Sequence, residues 1–160
     1  MEDRVAAEHT RSLVNDAILM VALQHRRLGR REPEDETWGS RWWTDLQLLI
    51  VGLRRLRRAA QAGLKVPAMS EIIREAVVTF DARLRGLRTL RNVGEHIDAY
   101  VVNGTDRHDK SISRGRLQVG EWNGKVFSWL GHRLDVDDAL AASEELHQVV
   151  RVAVSTVSSF

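Results

Sequence analysis

Arg91-Asn92-Val93-Gly94-Glu95-His96 brings a fixed cation, an amide and an imidazole together within six residues. Imidazole titrates near neutrality and can pass a proton in either direction, while a guanidinium stays charged and grips phosphate through parallel N–H donors. Such a set suits phosphoryl transfer on RNA, where a hydroxyl must lose a proton and charge must be stabilised on a pentavalent phosphate. In a chain this rich in arginine, the bare spacing of Arg and His five residues apart is expected roughly once by chance. Arg4 and His9 form a second instance. Requiring Asn directly after Arg lowers the chance expectation to a few per cent, and Arg4 fails that test because Val5 follows it.

On a regular helix His96 lies about 40° from Asn92 and near Arg88 and Tyr100, whereas Arg91 lies about 140° around the axis. Convergence of Arg91 and His96 on one phosphate therefore requires a helix start, a kink or a second subunit, with the long arginine stem reaching across. Leu90, Val93 and Ile97 are read as core-facing, which turns Arg88, Asn92, Glu95 and His96 outward or into an interface. Arg88, Glu95 and Tyr100 are the candidate substrate contacts beside the catalytic candidates Arg91, Asn92 and His96.

The elements that carry these residues read as helices. Leu13, Ala17, Met20, Val21 and Leu28 recur at steps of three, four and seven, which predicts an amphipathic helix over 5–28. Arg30 to Thr37, with Pro33, reads as an exposed connector. A second helix is expected from about Gly39 to Ala62, with Leu46, Leu49, Ile50, Leu53 and Leu56 on one stripe and Gly63 as its C-terminal cap. Ser70 is placed as the cap of a third helix, with Glu71 and Glu75 beside its positive dipole end. The apolar spacing continues through Phe80, Leu84, Leu87, Leu90 and Val93 to Val101, so Ser70 to Val102 forms one long helix or two. A break or kink near Gly86 is preferred, with Asn103-Gly104 as the stop. After a polar loop from Thr105 to Gly115, Arg116–Trp122 and Lys125–Leu130 flank Asn123-Gly124, which predicts a hairpin with a type I′ turn. Asp135 caps a last helix with Leu140, Leu146, Val150, Ala153, Val154 and Val157 on its apolar face. The expected fold is all-α: one domain over 1–160, a bundle of four to five helices carrying a small hairpin at about 116–130.

Composition frames this reading. A chain of 160 residues, 43% hydrophobic and 29% charged, suits one domain with a modest core. Zero cysteines exclude disulfides, thiolate nucleophiles and cysteine-held metal. The charged start and the lack of any long apolar run point to a cytoplasmic protein with no membrane span. Net charge is only +2, yet 21 of the 24 basic residues are arginine, so local clusters matter more than the total.

The motif Arg91-Asn92-Val93-Gly94-Glu95-His96 in its helical setting resembles the HEPN superfamily, small helical bundles marked by Arg, four to six residues and His, often with a polar residue just after the Arg. The resemblance implies a homodimer in which two motif helices meet in a composite cleft for metal-independent RNA cleavage, with no cofactor. It implies that His96 handles the proton of the ribose 2′-hydroxyl or the leaving oxygen, that Arg91 stabilises the pentavalent phosphate, and that Asn92 orients the pair. It also suggests a toxin or defence-type ribonuclease, with an antitoxin or defence-system protein as partner. The hairpin departs from the simplest such bundle.

Arg54, Arg55, Arg57 and Arg58 can track RNA phosphates or form the solvated face of an amphipathic helix. Trp38, Trp42 and Trp43 can stack bases, but packing of a helix start onto the bundle is the favoured role, and Trp122 and Trp129 are expected to cover the apolar face of the hairpin. His96, Asp98, His108 and Asp109 are chemically able to hold a metal, but their spacing matches no strong motif and no metal site is assigned. Asn103-Gly104-Thr105 is read as a helix-ending turn. The alternative to a ribonuclease is a non-catalytic helical module that binds a protein or nucleic acid.

Overall fold

The structure, a computed structural model, describes residues 2–30, 40–102, 109–117 and 120–158. Residues 31–37 of the expected connector, Trp38, the Asn103-Gly104-Thr105 turn, His108 and part of the first hairpin segment lie outside the described residues.

Six α-helices and a three-stranded antiparallel sheet are present among the described residues. Helix α1 spans Glu2–Gly29 and α2 spans Arg41–Ala62. Helix α1 buries Ala7, Thr10, Val14, Ala17, Val21 and Gln24 against its neighbours. Of the predicted stripe, Ala17 and Val21 are buried and Met20 and Leu28 partly so, and Leu13 alone falls outside it. Leu13 is exposed, because small residues at 7, 14 and 17 allow the close approach to α2 that a leucine stripe would prevent. In α2 the expected Leu46, Leu49, Ile50, Leu53 and Leu56 are all buried. Each leucine there would cost about 2–5 kcal/mol if cut to alanine. Gly63 follows α2 with φ −65°, right-handed, and opens a single 3₁₀ turn over Gly63–Lys65 instead of a left-handed cap.

Helix α3 spans Pro67–Arg83. It starts earlier than Ser70 because Pro67 pre-sets the φ of a first helical residue. The Ser70 hydroxyl donates to the Pro67 carbonyl at 3.1 Å and does not cap the helix. The preferred break is present. Gly86 adopts φ +88°, a left-handed conformation, and α4 runs Leu87–Glu95. A second break follows at His96, and α5 covers Ile97–Val101. The apolar spacing reads through the first break because Leu84, Leu87, Leu90 and Val93 all stay buried across it.

Strands β1 (Glu121–Trp122), β2 (Val126–Trp129) and β3 (His132–Asp135) form a meander in the order β1-β2-β3. The first turn has its positive φ at Gly124 and centres on Gly124-Lys125, with the Asn123 side-chain oxygen accepting the Lys125 and Val126 N–H groups at 3.0 and 2.7 Å. That places Gly at the first central position, the type II′ pattern, in place of the expected type I′. The third strand is an addition to the expected hairpin. Trp129 pairs with His132 across Leu130-Gly131, whose φ values of +54° and +80° are those a type I′ turn requires. A leucine gives no sequence signal for such a turn.

The Asp135 carboxylate accepts the N–H groups of Asp137 and Asp138 at 3.0 and 3.1 Å, so it caps α6 (Val136–Ser158) as expected. The sheet docks on the start of α2 through aromatic rings. Trp43 meets Phe127 and Trp129 edge to face, with centroids 5.6 and 5.0 Å apart. Such pairs add about 0.5–1.5 kcal/mol each beyond area burial. Trp43 thus packs a helix start, the favoured role, and Trp129 is buried beneath the sheet. No described helix is long and apolar enough to cross a membrane.

Candidate functional site

Helix α4 buries Leu87, Leu90 and Val93 and turns Arg88, Arg91, Asn92 and Glu95 away from the core. Its approach to α2 is close at Gly94, where an added Cβ would stand 2.5 Å from the Gln47 side-chain oxygen. The helix ends at His96, whose backbone leaves the helical region at φ −118°, ψ 34° while its N–H still donates to the Asn92 carbonyl at 3.1 Å. His96 is exposed and its carbonyl accepts the Ala99 N–H, so the residue belongs to neither helix interior. The ideal 140° separation of Arg91 and His96 no longer applies across that junction. Ile97, expected in the core, is exposed because the chain turns there.

Three of the candidate residues are brought together directly. The Arg91 guanidinium pairs with the Glu95 carboxylate one turn on, and its other terminal nitrogen donates to the Asn92 side-chain oxygen at 3.1 Å. Arg54 of α2 lies near enough to Arg91 to feel its charge. Burial first, then the charges of Arg57, Arg58 and Arg91, pull the Arg54 guanidinium below its ordinary pKa, with Asp81 working in the opposite direction. Its Nε is buried without a hydrogen-bond partner among the described residues.

The remaining arginines divide. Arg57 is gripped by Asp81 through two bonds of 2.6 and 2.5 Å, and the bond to Asp81 raises its pKa. Arg55 and Arg58 instead border a groove between α1 and α2, lined also by Leu13, Asp16, Ala17, Met20 and Ala59. Arg88 is exposed on α4. Tyr100 is a correction: it is fully buried, and its hydroxyl oxygen accepts the Asp109 N–H at 3.0 Å. It props the chain after α5 and does not face the motif's outer surface. Among the described residues no three His, Asp or Glu side chains gather as metal ligands.

Sequence reasoning missed the far side of this site. A cavity of about 300 Å³ opens beside the motif, walled by Trp43, Gln47, Arg91, Gly94, Glu95 and Trp129, with further apolar side chains of α2 and α5. Gln47 stands seven residues before Arg54, two helical turns along the same face. That spacing was a readable signal, but the sheet's approach to it was not. No family model, curated protein or solved structure matches this chain.

Proposed function

We propose that this chain is a HEPN-like endoribonuclease that acts as a homodimer and cleaves RNA without a metal. In the reaction the ribose 2′-oxygen attacks phosphorus and the bond to the 5′-oxygen breaks, leaving a 2′,3′-cyclic phosphate and a 5′-hydroxyl. His96 of one copy takes the 2′ proton and His96 of the other supplies one to the leaving oxygen. Arg91, aligned by Asn92, stabilises the phosphate charge.

The observation that supports this reading most is the charge imbalance at the motif. Half-buried Arg54 feels the like charges of Arg57, Arg58 and Arg91, and although Arg91 pairs with Glu95, this face carries more cations than carboxylates, which favours an anion. An RNA phosphate is such an anion. Leu48, Ile97, Val101 and Val102, 40%, 41%, 42% and 74% exposed, supply apolar surface on α2, on α5 and just after it, where a second copy would bring its own His96. The reading carries a cytoplasmic setting, a toxin or defence role, and a cognate antitoxin or defence-system protein as regulator.

Purified wild type and His96→Ala, incubated with mixed RNA in EDTA, test it. Wild type is expected to leave 2′,3′-cyclic phosphate ends, and a folded His96→Ala dimer to lose at least about 10²-fold in rate. Persistent cleavage by that variant overturns the proposal.

A second reading, a non-catalytic binding module, is favoured by the α1–α2 groove of about 480 Å³ with Arg55 and Arg58 on its rim. Val5, Leu19 and Leu23 add exposed apolar surface along α1. That reading expects partner binding indifferent to His96→Ala, and no cleavage by wild type.

A further inference from the structure

The cavity at the motif combines two properties that rarely serve structure alone. Its walls are aromatic and aliphatic, with Trp43 and Trp129 on one side and Leu48, Ile50, Val51 and Ile97 around it. Polar groups nevertheless converge on it from two helices. Gln47 reaches in from α2, and the Arg91–Glu95 pair borders it from α4. The Gln47 amide nitrogen is buried without a hydrogen-bond partner among the described residues. An orphaned buried donor costs about 1–3 kcal/mol, so a ligand in the cavity that presents an acceptor and draws the flexible Gln47 amide toward it would satisfy that donor.

We propose that this cavity is a nucleobase pocket, which holds the base next to the phosphate faced by Arg91. The strand context rests on the ribonuclease reading, but the pocket's own chemistry does not. A nucleobase is flat and apolar on its faces, which suits walls containing indole rings. Its edge sets an acceptor beside an N–H donor, and the cavity lining offers a donor in the Gln47 amide and an acceptor in the Glu95 carboxylate that Arg91 also holds. A purely apolar ligand would leave the Gln47 donor unmet, and a sugar would place hydroxyls against the indole walls. Gly94 is part of the device. The absence of a Cβ there leaves room for the end of the Gln47 side chain, which a Cβ would approach to 2.5 Å.

Titration of the full chain with AMP, CMP, GMP and UMP, followed by tryptophan fluorescence, tests the proposal, with ribose 5-phosphate as the base-free control. At least one nucleotide is expected to quench saturably and to bind about tenfold or more tighter than ribose 5-phosphate. Gln47→Leu should weaken that binding about tenfold while binding of ribose 5-phosphate and the helical circular dichroism stay unchanged. Gly94→Ala, which displaces the flexible end of Gln47 without touching backbone, should act in the same direction. Equal affinity for nucleotides and ribose 5-phosphate overturns the pocket, as does wild-type binding by both folded variants. The two proposals fail separately. Base-dependent binding by a chain that cleaves no RNA keeps the pocket and removes the ribonuclease, whereas cleavage without base-dependent binding does the reverse.

Discussion

Arg83 and Arg54 are both partly exposed arginines on core helices, and their surroundings are opposite. Arg83, at the end of α3, pairs with Asp138 and with Glu145 at 2.8 Å, and these bonds raise its pKa. It ties α3 to α6. Arg54 has lost water to burial and stands among Arg57, Arg58 and Arg91, which lower its pKa. The nearby Asp81 is already held in two bonds by Arg57. Folding alone selects the first environment, since burial of a cation is repaid only by a partner. The second costs stability, and a perturbed group of that kind is a candidate for function. The difference teaches where to look: at the cation whose charge the fold leaves unanswered.

The largest effect should come from the matched class. Asp45 is 1% exposed and receives Arg27 at 2.7 Å, with Arg41 at 3.9 Å. Asp45→Ala should lower stability by about 3 kcal/mol in thermal or urea unfolding. A loss below about 1 kcal/mol would break the distinction between answered and unanswered arginines.

A paired substitution sharpens it. Arg83→Gln should cost about 0.5–1 kcal/mol of stability and leave RNA affinity unchanged. Arg54→Gln should leave the melting temperature unchanged or raised, and reduce the slope of log affinity against log salt by about 0.7 for single-stranded RNA. The comparison is lost if both variants behave alike in the two assays.

The smallest effect concerns a neutral group. His147 bonds to the Asn15 side-chain oxygen at 2.8 Å across the α1–α6 seam, and burial first, then Arg151, lowers its pKa below the ordinary histidine value. The unfolded chain then takes up the proton at higher pH than the folded one, so stability falls as pH drops below about 6.5. His147→Gln should flatten the melting-temperature profile between pH 7 and 5, and an unchanged slope would remove His147 from the account.

Most of the helical frame was legible in the chain, because burial imposes a 3.6-residue period that leucines and valines report directly. The α2 stripe and the Asp135 cap stand where spacing and side-chain chemistry place them. Leu13 misled because helix packing selected the small-residue face, a tertiary choice that hydrophobicity does not encode. The break at His96 was hidden because Val93 and Ile97 keep helical spacing across it. At the site, Arg91 and Glu95 meet because residues one turn apart on a helix are neighbours, and the long Arg91 stem also reaches the adjacent Asn92. Gln47, Trp43 and Trp129 stayed invisible since only the docked sheet brings Trp129 to them.

The ring of His132, on β3, occupies the space where a Cβ at Gly86 would stand, 2.3 Å from its Nδ1. The hinge before the motif helix and the first residue of the last strand are therefore lock and key. In any relative of this chain, a side chain at the position of Gly86 would demand both a left-handed backbone it tolerates poorly and a smaller residue at the position of His132. The two sites should be inherited as one character, so a search for kin can weigh that pair alongside the motif.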